Sequence, residues 1–311
     1  MAFIGIDLGG TKLAAAAFTA GGELLHRETT PLADRRGEAV GALIVERIRS
    51  IADGHPLEGA GVCVPGLYRS ARGTVWAPNI SGWDDYPLRD ELRSALGAQT
   101  ALTIDSDRAA YILGESWRGA AAGARDAIFL AVGTGIGAGI LTDGRVLRGH
   151  GDVAGAIGWL ALDRPYASRY QQHGCFEDQA SGPGLVRVAG DLMETDSSYI
   201  GELRRDDLDA GHIFAAYQRH DTIASQVIDN AIELWGMAAA NLVSVFNPEI
   251  IVFGGGIFGP ASGLIERIRS EARRWAQPIA IEQVRFVASM LGGDAGLFGA
   301  GRLAMMRPGD A

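Results

Sequence analysis

The sequence predicts an α/β protein built from a duplicated unit, and two observations support this fold class. The first is the segment 128–147, in which the apolar run IFLAV leads into a glycine-rich turn at 133–139 and a second apolar run. A continuous apolar run is typical of a strand buried on both faces. The second observation is that segment 3–24 repeats this order of strand, glycine-rich turn and strand. A repeat once in each half of the chain favours duplicated α/β units.

The two turns also predict a ligand. When the segments are aligned, Gly10 and Thr11 coincide with Gly133 and Thr134. Glycines let backbone N–H groups approach an anion closely, and such groups form a nest for phosphate. The repeat therefore predicts a phosphate held between two lobes; the alternative is two ordinary glycine-rich hairpins.

Composition excludes several classes of protein. The 311 residues carry a formal net charge of -9, which argues against a general nucleic-acid binder. No apolar run is long enough to span a membrane, and the first residues enter a strand without the basic region of a signal peptide. Two cysteines far apart, Cys63 and Cys175, indicate no disulfide framework, so a cytoplasmic protein is expected.

Apolar periodicity predicts the elements of the first half in order. After the first hairpin, at 3–25, it predicts a helix at 38–52. A strand ends at Pro65-Gly66, and a helix runs to about Leu96. A short strand at 101–104 leads into a helix from Arg108 to about Gly119.

The second half continues the alternation after the central hairpin. The pattern predicts helices at 178–192, 222–246 and 260–275, strands at 249–253 and 284–289, and a last helix at 295–305. The long helix ends at Asn247-Pro248, because proline cannot continue a helix.

Carboxylates at two strand ends are the candidate chemical groups. Asp7 precedes the first turn, and a carboxylate beside a phosphate nest requires a cation between them, so Asp7 is a candidate to hold Mg²⁺ through water. Its alternative role is a turn cap. Asp105 and Asp107 flank Ser106 at a strand-to-helix junction, where open α/β folds place catalytic groups. Ser106 or Asp107 can equally be the helix N-cap.

The ordered motifs resemble those of the ROK family (repressors, open reading frames and kinases) over nearly the whole chain. They are the following segments: Asp7-Leu-Gly-Gly-Thr-Lys12, Pro65-Gly66, Pro78-Asn79 with Trp83, Asp107 with Gly114-Glu115, Gly133-Thr-Gly-Ile-Gly137, Ala154-Gly155 with Ile157-Gly158, Gly174-Cys175 with Glu177, Asn247-Pro248 and Gly254-Gly-Gly256. The resemblance implies a two-lobed actin/hexokinase-like (ribonuclease H-like) fold. It also implies a first lobe at 1–118, joined by the C-terminal helix at 295–311, and a second lobe at 119–294.

The kinase members of this family phosphorylate free hexoses with ATP, so the resemblance implies an ATP- and Mg²⁺-dependent sugar kinase. It assigns the general base to Asp107, with Asp105 as the rival. It places phosphates and adenosine at Gly9, Gly10, Thr11, Lys12, Gly133, Thr134, Gly135, Gly137, Gly254, Gly255 and Gly256. It places a free sugar or cyclitol at Gly66, Asn79, Ser106, Asp107, Trp159 and Glu177. A homodimer is expected, without a nucleic-acid or membrane partner.

The chain departs from the family pattern at the acceptor site. Ser106 replaces the asparagine before the base, and Ala156 and Trp159 replace a glutamate and a histidine that bind sugar hydroxyls. Glucose is therefore not the expected acceptor. Trp159 either stacks on a sugar or fills the core, and the core interpretation is preferred.

A second departure concerns the family's structural zinc. The histidine that Trp159 replaces also binds this zinc, together with three cysteines. Ser168 and Tyr170 replace two of those cysteines and only Cys175 remains, so no structural zinc is expected.

Three functions follow from these features. The leading hypothesis is a sugar kinase with unusual acceptor specificity, and the alternative is a non-catalytic sugar- or nucleotide-binding protein. Retention of Asp107 and both glycine-rich turns favours the enzyme. A transcriptional repressor ranks last, because such members carry a DNA-binding segment before the kinase-like part and this chain starts on the first hairpin.

Overall fold

The protein folds into two compact units, seen in a computed structural model that describes residues 2–52 and 56–306. The first unit comprises Met1–Arg125, Gly139–Ala154 and Gly293–Ala311, and the second comprises Asp126–Ala138 and Gly155–Gly292. Among the described helices, none is both long and apolar enough to cross a membrane.

The first sheet combines an antiparallel meander with two parallel strands. The first seven strands of the chain are β1 (Ala2–Leu8), β2 (Lys12–Phe18), β3 (Leu24–Pro31), β4 (Leu57–Val64), β5 (Leu67–Arg69), β6 (Thr74–Trp76) and β7 (Ala101–Ser106). The sheet order is β3-β2-β1-β4-β7, in which β1 pairs antiparallel with β2 and parallel with β4. Strands β5 and β6 form a separate antiparallel pair.

The second sheet has the same design. Its strands are β8 (Ala127–Val132), β9 (Ile136–Thr142), β10 (Arg145–Val146), β11 (Ile250–Gly254) and β12 (Arg285–Ala288). The order is β10-β9-β8-β11-β12, with β8, β11 and β12 parallel. The chain passes from the second unit to the first within β9, after Ala138. The predicted duplication of an α/β unit is confirmed.

Local sequence signals set most of the helix ends. The helices are α1 (Glu38–Ala52), α2 (Leu88–Leu96), α3 (Asp107–Arg118), α4 (Tyr170–His173), α5 (Cys175–Ala180), α6 (Gly182–Thr195), α7 (Ala210–Gln218), α8 (Thr222–Phe246), α9 (Ile265–Trp275), α10 (Pro278–Gln283) and α11 (Ala295–Met305). Side chains of Ser106 and Asp221 accept N-cap hydrogen bonds at α3 and α8. Asn247 ends α8 in the left-handed region, at φ 46°.

Two predicted helices differ from the structure. The helix predicted at 178–192 is two helices, which meet at Ser181. The Ser181 side chain caps α6 by accepting from Gly184 N–H at 3.1 Å, so α5 ends before it. The helix predicted at 260–275 begins with a 3₁₀ turn, Pro260–Leu264, before α9. The missing N–H of Pro260 suits such a start.

The last helix of the chain completes the core of the first unit. Helix α11 packs on β1, β4 and α3, whereas α1 packs on β1 and β2. Glycines permit the close approach of α3 and α11, since a Cβ on Gly114 would clash with the Ala295 carbonyl and one on Gly299 with the Ala110 carbonyl. Backbone contact at this distance holds α3, and with it the strand-to-helix junction, firmly against its neighbours.

Aromatic side chains fill the core of the second unit beside the parallel strands. Phe253 on β11 packs against Phe258 at 5.0 Å between ring centroids, and Phe258 packs against Trp235 of α8 at 5.3 Å. Trp235 is fully buried and donates its indole N–H to the Ala180 carbonyl at 3.1 Å. This bond fixes the end of α5, the helix that carries Glu177.

Candidate active site

The first glycine-rich turn joins β1 to β2. Gly9 N–H donates to the Lys12 carbonyl at 2.9 Å and closes the turn, and Gly10, Thr11 and Lys12 are exposed. A Cβ on Gly10 would lie 3.2 Å from the Cβ of Asn79, so the turn runs directly beside that side chain. Residues predicted to bind a phosphate and an acceptor are therefore neighbours within the first unit.

Asp7 stands beside this turn at the end of β1. It lies opposite Cys63 in the parallel pairing of β1 with β4. A Cβ on Gly296 would come 2.5 Å from Asp7 Oδ2, so this glycine of α11 leaves room for the carboxyl group. Burial raises the pKa of Asp7 to about 6, although the nearby Lys12 ammonium opposes the rise.

The surroundings of Asp7 fit a hydrated magnesium ion better than a protein-enclosed metal. Within residues 2–52 and 56–306, no cluster of three or more His, Cys, Asp or Glu side chains could hold a metal ion directly. Mg²⁺ is usually bound by one or two carboxylates together with substrate phosphates, and it keeps several waters. One partly exposed carboxylate next to the first glycine-rich turn is compatible with that donor set.

Asp105 is committed to an ion pair. Its side chain is only 7% exposed. Its Oδ1 accepts from Ser106 N–H at 2.8 Å, and its Oδ2 accepts from Arg148 Nε at 2.9 Å and from Arg148 Nη2. Burial raises the pKa of Asp105, and Arg148 opposes the rise. A carboxylate already held by a guanidinium is a poor proton acceptor, because accepting a proton would break the pair.

Asp107 is the first residue of α3 and is free of such a pair. Its Oδ1 accepts from Arg108 N–H at 2.8 Å, and within the described residues no lysine, arginine or histidine nitrogen lies within ion-pair distance. Burial raises the pKa of Asp107 to about 6, and the neighbouring Asp7 contributes to the rise. The side chain is partly exposed. Asp107 is therefore better suited than Asp105 to take a proton from a bound ligand.

Helix α3 is anchored at both ends, which fixes Asp107. Ser106 is the N-cap, since its Oγ accepts from Ala109 N–H at 3.4 Å. At the other end Glu115 is fully buried, and its Oε2 accepts from Ala120 N–H at 2.6 Å. Both residues of the Gly114-Glu115 motif thus have structural functions. Gly114 allows the close approach of α11, and Glu115 holds the loop after α3.

The predicted acceptor residues of the first unit lie around the β5–β6 hairpin. Gly66 has φ +90°, and a Cβ there would clash with the Trp76 carbonyl, so glycine is required at this turn. Asn79 is exposed, whereas Trp83 is 1% exposed and donates its indole N–H to the Gly37 carbonyl at 3.1 Å. Trp83 therefore holds the loop that presents Asn79.

The segment that follows β10 is tied to the same hairpin. Asp152 accepts from both the N–H and the hydroxyl of Ser70 at 3.0 Å, although its φ of +60° is unfavourable for a residue with a side chain. Arg148 binds Asp105 from this segment, and Arg108 reaches the Val153 carbonyl at 3.5 Å. Hydrogen bonds between three residue pairs thus fix residues 148–154 within the first unit.

The second glycine-rich turn belongs to the second unit and contacts Glu177. Gly133 N–H donates to the Gly135 carbonyl at 2.9 Å, and Ile136 N–H donates to Glu177 Oε2 at 2.7 Å. A Cβ on Gly135 would lie 2.9 Å from Glu177 Oε2. Burial raises the pKa of Glu177. Glu177 therefore braces the turn with one oxygen, which the sequence motif alone does not reveal.

The triple glycine after β11 lies next to this turn. A Cβ on Gly133 would lie 3.7 Å from Gly256 N, and Gly255 has φ +89°. Gly255 and Gly256 are both exposed. Gly133, predicted for phosphate, and Gly256, predicted for adenosine, are therefore neighbours in the second unit.

The core interpretation of Trp159 is wrong. Its side chain is 56% exposed. The backbone around it is held by glycine packing instead, because a Cβ on Gly174 would lie 2.7 Å from Trp159 Cα and would clash with the Gly158 carbonyl. Trp159 is thus an accessible aromatic surface, and its binding to an acceptor stays a prediction.

Side-chain hydrogen bonds occupy the region that corresponds to the family's zinc loop. Gln179 Nε2 lies 3.2 Å from both Asp163 Oδ2 and the Tyr170 hydroxyl, and 3.8 Å from Cys175 Sγ. Next to this polar cluster, the buried Asp178 pairs with Arg169 at 2.9 Å. The loop is therefore joined by protein groups at the positions where the family pattern has metal ligands.

We expect protein purified without added metal to contain far less than one zinc per chain. The polar cluster of Asp163, Tyr170, Cys175 and Gln179 already joins the loop, and one cysteine does not make a four-ligand site. Elemental analysis after dialysis measures the zinc content. A stoichiometric zinc that survives dialysis contradicts this expectation.

Comparison with known proteins gives the family. The sequence profile of the ROK family matches residues 3–307. The chain belongs to the ROK family. A glucokinase from Halalkalibacterium halodurans is 31% identical to this ROK protein over 315 residues, which cover 97% of this chain and 94% of the relative.

Two solved structures share the fold of this ROK protein. The ROK hexokinase from Thermus thermophilus is 32% identical, with a TM-score of 0.81 over 98% of both chains. A ROK family glucokinase from Streptomyces griseus, in complex with glucose and AMPPNP, is 28% identical, with a TM-score of 0.75 over 98% of this chain and 99% of that chain. The predicted family and the actin/hexokinase-like fold are confirmed.

Proposed function

We propose that this ROK protein is a kinase that uses ATP and Mg²⁺ to phosphorylate a hydroxyl of a free sugar or sugar-like acceptor, with Asp107 as the general base. The named relatives support the sugar-kinase class, since one is a hexokinase and one is a glucokinase in complex with glucose and AMPPNP. The choice of base rests on the contrast between two carboxylates in one junction: Arg148 neutralises Asp105, and Asp107 is unpaired.

Each group has a defined task in this proposal. The backbone of Gly9, Gly10 and Thr11, with Lys12, and that of Gly133 to Gly137 bind the phosphates of ATP, while Gly254 to Gly256 lie against adenosine. Asp7 holds Mg²⁺ through water, and the ion when bound neutralises phosphate charge. The acceptor binds at Gly66, Asn79, Ser106, Trp159 and Glu177.

The chemical step requires little of the protein beyond positioning and proton removal. The acceptor oxygen attacks the γ-phosphorus, the bond from this phosphorus to the bridging oxygen breaks, and ADP leaves. The carboxylate of Asp107 accepts the acceptor's hydroxyl proton as the new oxygen–phosphorus bond forms. A pKa of about 6 makes Asp107 a stronger base than an ordinary aspartate and leaves it ionised at neutral pH.

The experiment that tests this function is ADP release with a panel of hexoses, amino sugars, N-acetyl sugars, ketoses and cyclitols. At least one acceptor should support turnover that depends on both ATP and Mg²⁺. Binding of sugar and nucleotide without ADP release would instead favour the non-catalytic alternative.

We expect the acid limb of the rate profile to lie near pH 6. Asp107 must be ionised to accept a proton, and its raised pKa means that activity falls as pH drops through about 6 rather than about 4. The measurement is kcat/KM for the best acceptor between pH 4.5 and pH 9, with Mg²⁺ and ATP held saturating. A profile that stays flat down to about pH 5, as expected for a base with the ordinary aspartate pKa near 4, would contradict the assignment.

A further inference from the structure

The first unit contains a small cavity beside the first glycine-rich turn that the proposed kinase reaction does not yet use. Its volume is about 170 Å³. Its lining includes Gly10, Asp34, Arg35, Arg36, Asn79 and Ser81. It therefore lies where the backbone of the phosphate-binding turn meets the predicted acceptor residue Asn79.

Backbone hydrogen bonds hold the walls of this cavity in place. Leu32 N–H donates to the Thr11 carbonyl at 2.8 Å, which ties the loop after β3 to the turn. Gly37 N–H donates to the Ser81 carbonyl at 2.9 Å. Trp83, as described above, binds the Gly37 carbonyl from the opposite wall. Backbone hydrogen bonds, and not surface side chains alone, therefore define the shape of this cavity.

Several hydrogen-bond donors face this cavity without a protein acceptor. Within residues 2–52 and 56–306, the side chains of Arg36, Asn79 and Ser81 make no hydrogen bond or ion pair. Arg35 uses only Nη1, which lies 3.4 Å from the Pro31 carbonyl and 3.3 Å from the Leu32 carbonyl. Its other guanidinium hydrogens remain available.

The charge of the cavity is positive in a chain whose net charge is -9. Two guanidinium groups, of Arg35 and Arg36, line it with a single carboxylate, that of Asp34. All three side chains are exposed, and Asp34 forms no ion pair with either arginine, so both guanidinium groups can reach a bound anion. Guanidinium groups bind carboxylate and phosphate through paired N–H donors.

We propose that this arginine-lined cavity binds an oxyanion, a phosphate or carboxylate group carried by one of the substrates. The proposal rests on the proposed kinase function for the source of that group. Arg36 supplies the main charged contact, Arg35 the second, and Asn79 and Ser81 supply neutral donors. Because Asn79 also faces the acceptor, an acceptor with an anionic substituent is one source, and a phosphoryl donor with a longer phosphate chain is the other.

The binding test uses inorganic phosphate and does not need turnover. Isothermal titration calorimetry of the full chain, saturated with Mg²⁺ and ADP, should give phosphate affinity about 10- to 100-fold weaker for Arg36→Gln, as expected for one lost charge-assisted contact. The exposed Arg93, in the same unit, provides the matched control Arg93→Gln, which should leave the affinity unchanged. Equal phosphate affinity in wild type, Arg36→Gln and Arg35→Gln/Arg36→Gln overturns the proposal.

A kinetic test identifies the source of the anion. If the acceptor carries it, Arg36→Gln lowers kcat/KM about 10- to 100-fold for a hexose 1-phosphate or a hexuronic acid but not for the neutral hexose. If the donor carries the anion, the same variant lowers kcat/KM for tripolyphosphate. The ratio of kcat/KM between anionic and neutral acceptors then stays unchanged. If none of the acceptors supports turnover, the kinase function is refuted. The calorimetric result still decides whether the cavity binds an anion. Because Arg35 also hydrogen-bonds two carbonyl groups of its own loop, a melting curve accompanies each Arg35 variant. The conclusion therefore depends on Arg36→Gln alone.

Discussion

Replacing Asp107 with asparagine is expected to lower kcat by about 10²- to 10⁴-fold, the usual effect of losing a general base. Asparagine keeps the size and the hydrogen bond to Arg108 N–H but cannot accept a proton at neutral pH. The affinity for ATP should stay nearly unchanged, because the proposed ATP contacts are backbone groups in other segments. Initial rates of ADP release and a nucleotide titration measure the two quantities.

The matched control is Asp105→Asn, two residues away in the same junction. This change weakens the ion pair with Arg148, so we expect a lower melting temperature and a smaller loss of kcat. Asp107→Asn should instead melt no lower than wild type at neutral pH, since it removes a carboxylate whose charged form is disfavoured by burial. If Asp105→Asn abolishes turnover and Asp107→Asn does not, Asp105 is the base.

Glucose should be a poor acceptor, weaker than the best acceptor by roughly 30- to 10⁴-fold in kcat/KM. Ala156 cannot bind a hydroxyl, Trp159 presents an exposed ring, and the Ser106 hydroxyl is already the N-cap of α3. A ligand hydroxyl buried without a partner costs on the order of 1–3 kcal/mol, and two such losses give that range. Water beside Ala156 would reduce the penalty, so the lower end is the better expectation.

The ratio of kcat/KM across the acceptor panel tests this specificity. A modified sugar or cyclitol, with an apolar or bulky group toward Ala156 and Trp159, should be preferred. Glucose as the best acceptor, with a Michaelis constant in the millimolar range or below, would show that these substitutions have been misinterpreted. The double variant Ala156→Glu/Trp159→His should raise glucose activity relative to the native acceptor. A melting curve is the control for folding, and the exposure of Trp159 favours a folded variant.

Elements with strong apolar periodicity could be predicted from the sequence, and exposed or capped elements could not. Helices α1 and α8 and the repeated hairpins carry regular buried faces. Strand β3 is not evident from the sequence, because all eight of its residues are exposed or only partly buried and no apolar alternation marks it. The break between α5 and α6 was encoded in Ser181-Gly-Pro183, a cap followed by proline, but the apolar pattern runs through it.

The candidate site divides in the same way. Asp107 and the glycine-rich turns could be found because short motifs carry them. The difference between Asp107 and Asp105 could not be predicted, because Arg148 is far away in sequence and is brought to Asp105 only by folding. The position of Cys63 opposite Asp7 could not be predicted either, since it depends on the pairing of β1 with β4. Arg35 and Arg36 were not considered, since their position beside Gly10 depends on the fold of the loop after β3.

The position of α11 in the first unit has a consequence for biosynthesis. Synthesis on the ribosome proceeds from the N-terminus, and early domains usually fold while the rest of the chain is still being made. Here β1, β4 and α3 emerge long before the helix that packs on them, and the glycines that admit α11 leave no side chains of their own to cover that face. The nascent first unit must therefore wait, with Asp7 and Asp107 already synthesised, until α11 has left the exit tunnel.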